Sequence, residues 1–244
     1  MTDNHQPTGS LMVIGAHAGD AENMAGAVVL KHTHAGHAAT IVHMTLGEAG
    51  HPTLAPEVYA EQRKREVEES ARLMGAKAIW LPYRDGELPV NDEVKFQVCD
   101  LIRQEKPTVI LTHWKGSFHK DHVATHEIVR DAIFYAALPA HSAKRELPAH
   151  RVRGVYYPEN WEDMDGWRTD VYLDTTDVWQ DYLSVLRSHE FICRSASFRY
   201  FDYYDALGTT RGCLGGFRKA AALMMQPGAW VRKLGTLPGL EPGA

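Results

Sequence analysis

The chain has 244 residues, 44% hydrophobic and 23% charged, with 26 Lys plus Arg against 31 Asp plus Glu for a formal charge of −5. This is the composition of a globular protein with a sizeable core, and it excludes wholesale disorder. The acidic balance argues against nucleic-acid binding by phosphate neutralisation, and no run approaches the 18 apolar residues of a membrane span.

The predicted elements alternate from the start. Leu11–Gly15 is a short apolar run that reads as a buried strand, and Ala21–His32 follows as a helix with Asp20 placed to cap it. Ala39–Met44 is the next strand, Ala55–Met74 a long charged helix stopped by Gly75, and Ala78–Leu81 a third strand. Asp92–Glu105 carries Val94, Val98, Leu101 and Ile102 at helical spacing, Thr108–Thr112 is a fourth strand, and His122–Leu138 is a helix. Further strands are expected at Gly154–Tyr157 and Asp170–Leu173, and helical stretches over Thr176–His189 and Phe198–Met225.

Strand and helix alternating in this way imply right-handed β-α-β units and a parallel sheet. The expectation is one α/β domain over residues 11–233. Its Rossmann-like parallel sheet, in an order near 3-2-1-4-5, is flanked by helices and followed by a C-terminal elaboration, and residues 1–10 and 234–244 are loose termini. The cysteines Cys99, Cys193 and Cys213 are too few and too scattered for a disulfide framework or a thiolate metal site. The polar start MTDNHQPTGS does not read as a signal peptide, so a reducing cytoplasm is the expected location.

Fourteen histidines are unusual, and they point to metal or proton chemistry. In open parallel sheets ligands bind beyond the carboxyl ends of the strands, where the strand order reverses. The first and fourth strands flank that point. After the first come Ala16-His17-Ala18-Gly19-Asp20-Ala21-Glu22; after the fourth come His113 and then His119-Lys120-Asp121-His122. Two imidazoles and a carboxylate with an open fourth position make a catalytic zinc site. The bland readings are that Asp20 and Asp121 serve only the N-termini of their helices, and that His113 is a hydrogen-bonded strand-end histidine.

With those motifs in place the sequence resembles the PIG-L/LmbE-like zinc-dependent deacetylases, which act on N-acetylglucosaminyl compounds. The family's A-H-P-D-D-x-E stands here as AHAGDAE (residues 16–22), and its H-x-D-H as HKDH (residues 119–122). TLGEAG (residues 45–50), Arg63 with Glu66, and Asp85 to Leu88 follow family features in the same order, and the likeness spans roughly residues 11–138.

The resemblance implies that His17, Asp20 and His122 bind Zn2+, that His119 stabilises the oxyanion, and that Asp121 orients His119. It implies further that Glu48, Arg63 and Asp85 face the substrate, an amino sugar or glycoside, and that homo-oligomers are common among such proteins, although the sequence does not fix the oligomeric state of this one. One position departs. The family's general base, the first Asp of its pair, is Gly19 here, which has no group to take a proton and is expected to leave room beside the metal. A positioned base is worth on the order of 10²–10⁴-fold in rate. Glu48, Asp121, His113 and Glu22 are the candidates to replace it.

Two functions follow: a zinc hydrolase of N-acyl amino sugars with a changed base, or a zinc-containing member that binds a glycoside or thiol-sugar conjugate without turning it over. A nucleotide-binding Rossmann protein is disfavoured. The first loop lacks G-x-G-x-x-G, and His17 stands where a pyrophosphate would lie.

Overall fold

A computed structural model describes residues 9–141 and 146–228, so the expected loose ends fall largely outside the described residues. Strands β1 (Ser10–Gly15), β2 (Ala38–Thr45), β3 (Lys77–Tyr83), β4 (Val109–Thr112), β5 (Gly154–Pro158), β6 (Val171–Asp174) and β7 (Ala220–Met225) form one sheet. The strand order is β3-β2-β1-β4-β5-β7-β6. The first five run parallel, as expected, and β7 and β6 extend the sheet with antiparallel pairings.

The helices are α1 (Asp20–His34), α2 (Pro56–Met74), α3 (Asp92–Glu105), α4 (Lys120–Ala136), α5 (Trp179–Arg187), α6 (Glu190–Arg194) and α7 (Tyr200–Gly215). Both faces of the central strands are covered, which is why β1 reads as a continuous apolar run. Leu11 and Val13 pack into a core with Val28, Leu30, Tyr182 and Leu186 of α1 and α5. Met12 and Ile14 face the opposite core, with Val98 and Ile102 of α3 and Ile128 and Val129 of α4. Helix α2 looks solvated in sequence but buries Tyr59, Arg63, Glu66, Val67, Ser70, Ala71 and Met74, one stripe at helical spacing.

Two expectations are corrected. The helix expected over Phe198–Met225 ends at Gly215, because Gly216 at φ 79° takes the left-handed C-terminal position. The run AAALMM that follows is strand β7, held by β5 and β6; sheet pairing overrides its helical propensity. Asp20 does not cap α1. The capping residue is Gly19, whose N–H is taken by the Glu22 carboxylate at 3.0 Å, and this frees Asp20 to turn into the crevice.

Candidate metal centre

The crevice lies where β1 and β4 part, at the carboxyl ends of the parallel strands. The β1–α1 loop brings His17 and Asp20 to it, and the first turn of α4 brings His119 and His122. The Asp20 Oδ2 atom is the hub. It lies 3.1 Å from His17 Nδ1, 3.4 Å from His122 Nε2 and 3.3 Å from His113 Nε2. It also accepts the His17 backbone N–H at 2.7 Å. Burial opposes ionisation of Asp20, but His122 and His17 outweigh it and hold its carboxyl well below the usual range.

Among the described residues, three overlapping groups of side chains could hold a metal ion: His17 with His119 and His122, Asp20 with His113 and His122, and His17 with Asp85 and Asp121. Their hydrogen bonds separate them. His113 Nε2 accepts the Ala16 N–H at 3.1 Å and its Nδ1 meets Asp163 at 2.7 Å, so both nitrogens are committed and His113 is a structural histidine. Asp85 Oδ1 and Asp121 Oδ2 lie 3.2 and 3.4 Å from His17 Nε2 and also accept the N–H groups of Ala49 (to Asp85 Oδ2) and Gly86 (to Asp121 Oδ2). They hold the His17 ring through Nε2 and leave its Nδ1 towards Asp20.

His122 is held likewise: its Nδ1 meets Asp163 Oδ1 at 2.8 Å, leaving Nε2 to the centre. His17 Nδ1 and His122 Nε2 thus each approach the Asp20 Oδ2 atom. Around a tetrahedral ion such as Zn2+, ligand atoms about 2.1 Å from the metal stand about 3.4 Å apart. The 3.1 and 3.4 Å separations fit that, and so does the donor chemistry.

His119 stands beside this set, its ring 4.6 Å from that of His17 and 4.7 Å from that of His122. Its Nδ1 accepts the Asp121 backbone N–H at 3.2 Å, which places the proton of the neutral ring on Nε2. Burial, and then the neighbouring His17 and His122, lower its pKa. The Asp121 carboxylate, expected on His119, lies on His17 instead.

Glu48 does not line the cleft; its Oε1 accepts the Asp85 N–H at 3.0 Å and braces that loop. Arg63 lines the cleft but is tied to Glu66 at 2.7 Å and to the carbonyl of Ala18. Glu22 is fully buried against Ser70, His43 and His189, away from any substrate.

The room expected at Gly19 is filled. A Cβ built there would lie 2.5 and 2.7 Å from the Phe191 ring and 3.0 Å from Arg63 Nη2, on a backbone at φ 98°. Arg63 stacks over the same ring at 4.4 Å. Phe191 therefore forms a wall beside Asp20.

A cleft of about 570 Å3 opens over the centre, with His17, Asp20, His119 and His122 in its floor and Glu162, Phe191 and Tyr200 in its walls. Burial pushes the Tyr200 phenol up to about 12, so it remains a hydroxyl donor. Glu162 and Asp163, on the turn after β5, escaped sequence reasoning. The same strand-end rule applied to the fifth parallel strand points to them. The Glu162 carboxylate faces the centre, with Oε2 3.6 Å from His122 Nε2. No hydrogen bond holds it among the described residues, and burial raises its pKa.

The model of the PIG-L family, GlcNAc-PI de-N-acetylase, matches residues 12–133, the stretch that carries the whole histidine and carboxylate floor. The chain belongs to the PIG-L family. It is 22% identical to 4-oxalmesaconate hydratase of Pseudomonas putida over 84% of this chain and 81% of that one. It is 25% identical to diacetylchitobiose deacetylase of Thermococcus kodakarensis over 91% of this chain and 84% of that one. A crystal structure of the 4-carboxy-2-hydroxymuconate hydratase from Pseudomonas putida superposes with a TM-score of 0.83 at 20% identity, covering 94% of this chain and 99% of that one. That likeness establishes the fold. The proteins it is similar to thus include both a deacetylase and a hydratase. No helix among the described residues is long and apolar enough to cross a membrane.

Proposed function

We propose that the protein is a zinc-dependent hydrolase that removes an acyl group, acetyl in the simplest case, from the nitrogen of an amino sugar or sugar conjugate, and that Glu162 replaces the missing base. The observation that carries this is Glu162 itself. Of the acids lining the cleft, Asp20 belongs to the metal set, Asp85 to His17, and Glu190 to Gln62 and Arg194. Only Glu162 meets the centre with no hydrogen bond to its carboxylate among the described residues.

His17, Asp20 and His122 would hold Zn2+, which supplies Lewis acidity and lowers the pKa of water towards about 7. The chain's own groups do the rest. Glu162 takes a proton from the water whose oxygen bonds to the amide carbon. His119 offers its Nε2–H, as a neutral donor, to the oxygen that gains charge. As the C–N bond breaks, Glu162 returns the proton to the leaving nitrogen, giving the carboxylic acid and the free amine, which exchange a proton to leave carboxylate and ammonium. Phe191 and Tyr200 present aromatic faces of the kind that pack on sugar rings.

Glu162→Gln keeps the shape and loses the base. Acetate release from N-acetylglucosamine-type substrates such as N,N′-diacetylchitobiose should fall by about 10²–10⁴-fold in kcat, with zinc content unchanged. Activity within about threefold of wild type would rule Glu162 out.

One relative, the 4-oxalmesaconate hydratase that is similar over 84% of this chain, favours a second reading, hydration of a small carboxylate-bearing substrate. Carboxylate-bearing substrates of that kind call for cationic anchors. Both arginines lining the cleft are already paired, Arg63 with Glu66 and Arg194 with Glu190. The amide reading therefore leads. Loss of 4-oxalmesaconate absorbance without acetate release from any N-acetyl sugar would reverse that order.

A further inference from the structure

Asp163 lies beneath the centre, fully buried, on the turn that follows β5. Its two oxygens serve two different histidines: Oδ1 meets His122 Nδ1 at 2.8 Å and Oδ2 meets His113 Nδ1 at 2.7 Å. The two rings stack at 3.9 Å with 25° between their planes. His113 in turn accepts the Ala16 N–H through Nε2, one residue before His17. One carboxylate thereby ties the α4 side of the crevice to the β1–α1 loop.

We infer that Asp163 is a positioning residue that makes His122 a metal ligand and, through His113, sets the loop that presents His17 and Asp20. This rests on the metal reading of the centre and not on the choice of substrate. A neutral imidazole carries one N–H and one lone pair. Asp163, an acceptor at both oxygens, puts the proton of each ring on Nδ1. For His122 that leaves the Nε2 lone pair facing Asp20, where an ion would sit. For His113 it leaves Nε2 free to accept from Ala16.

The turn itself is pinned from outside the centre. Asp165 N–H donates to the Gly116 carbonyl at 2.9 Å, Trp114 Nε1–H to the Asp165 carbonyl at 2.8 Å, and Phe118 N–H to the Glu162 carbonyl at 3.2 Å. A Cβ at Gly116 would overlap the Asp165 carbonyl, so only glycine allows this approach. The acid pair is thus delivered as one rigid unit, with Asp163 beneath the ligands and Glu162 at the cleft.

The decisive variant is Asp163→Asn. It is isosteric but has one acceptor and one donor, so it can satisfy only one of the two Nδ1–H groups. Either His122 moves its proton to Nε2 and loses its lone pair towards the ion, or His113 does so and repels the Ala16 N–H. Zinc affinity, measured by chelator competition, should fall by about 10–100-fold while the circular dichroism stays native. Affinity within about threefold of wild type would overturn the role.

Should the variant fail to fold, the zinc-loaded wild type decides, by imidazole 15N–1H spectra. His122 and His113 should both carry slowly exchanging Nδ1–H protons. A proton on Nε2 of His122 in the loaded protein would refute the proposal. Failure of wild type to bind zinc at all would overturn the metal reading as well, and so is distinguishable from loss of Asp163's role alone.

Discussion

Restoring an acid at Gly19 should damage this protein rather than repair it. Gly19 sits at φ 98°, ψ −21°, a conformation that costs a residue with a Cβ about 1–2 kcal/mol. The added Cβ would stand 2.5 Å from the Phe191 ring, inside any tolerated contact, and Phe191 is backed by Arg63 and Tyr200. Overpacking of that kind costs about 1–3 kcal/mol. Together the two effects predict a loss of about 2–5 kcal/mol for Gly19→Asp. Urea unfolding of the zinc-loaded protein should show it as a midpoint lowered by about 1–2 M. Adding Phe191→Ala should recover the packing part and leave the backbone part, so the two changes should be non-additive. A Gly19→Asp protein as stable as wild type, with faster acetate release, would show that the space is free and that the wall has been misjudged.

Three other outcomes follow from the site and its surroundings. Purified protein should carry about one zinc per chain; chelation should abolish turnover, and His17→Ala or His122→Ala should abolish metal binding in elemental analysis. His119→Ala should keep the metal but cut kcat about 10²–10³-fold, because that ring donates to the developing charge and its Nδ1 is taken by Asp121 N–H; metal loss matching His122→Ala would contradict this. The third is acid sensitivity away from the metal. Although burial opposes it, His189 and Arg63 lower Glu66 to about 2. A depressed carboxyl gives stability that is present above its unfolded pKa, near 4.5, and is lost as pH falls to about 2. The melting temperature of Glu66→Gln should therefore depend less on pH across that window than that of wild type; equal slopes would refute it.

The parallel half of the sheet was legible because alternation of apolar strands and amphipathic helices is local information. Leu11 to Gly15 and Thr108 to Thr112 need no distant partner to be read as strands, and their adjacency follows from crossover rules. The floor of the centre was legible for the same reason, since His17 with Asp20 and His119 with His122 are short-range patterns placed at two neighbouring strand ends. What escaped depends on long-range approach. Strand β7 is helical by propensity and becomes a strand only through β5 and β6. Phe191 reaches Gly19 from 172 residues further along the chain, and nothing near position 19 announces it. The resemblance assigns Asp121 to His119, but its carboxylate turns to His17, across the crevice. Glu162 and Asp163 carry no motif, and only the position of their turn beyond β5 marks them.

Anomalous diffraction at the zinc absorption edge, from crystals of the zinc-loaded protein, tests the central claim most directly. A single strong peak bonded to His17 Nδ1, Asp20 and His122 Nε2, with the Glu162 carboxylate facing it and His113 left on Ala16, is the predicted result. An absent peak, or an ion held by His113 or by the Asp85 and Asp121 pair, would contradict the account.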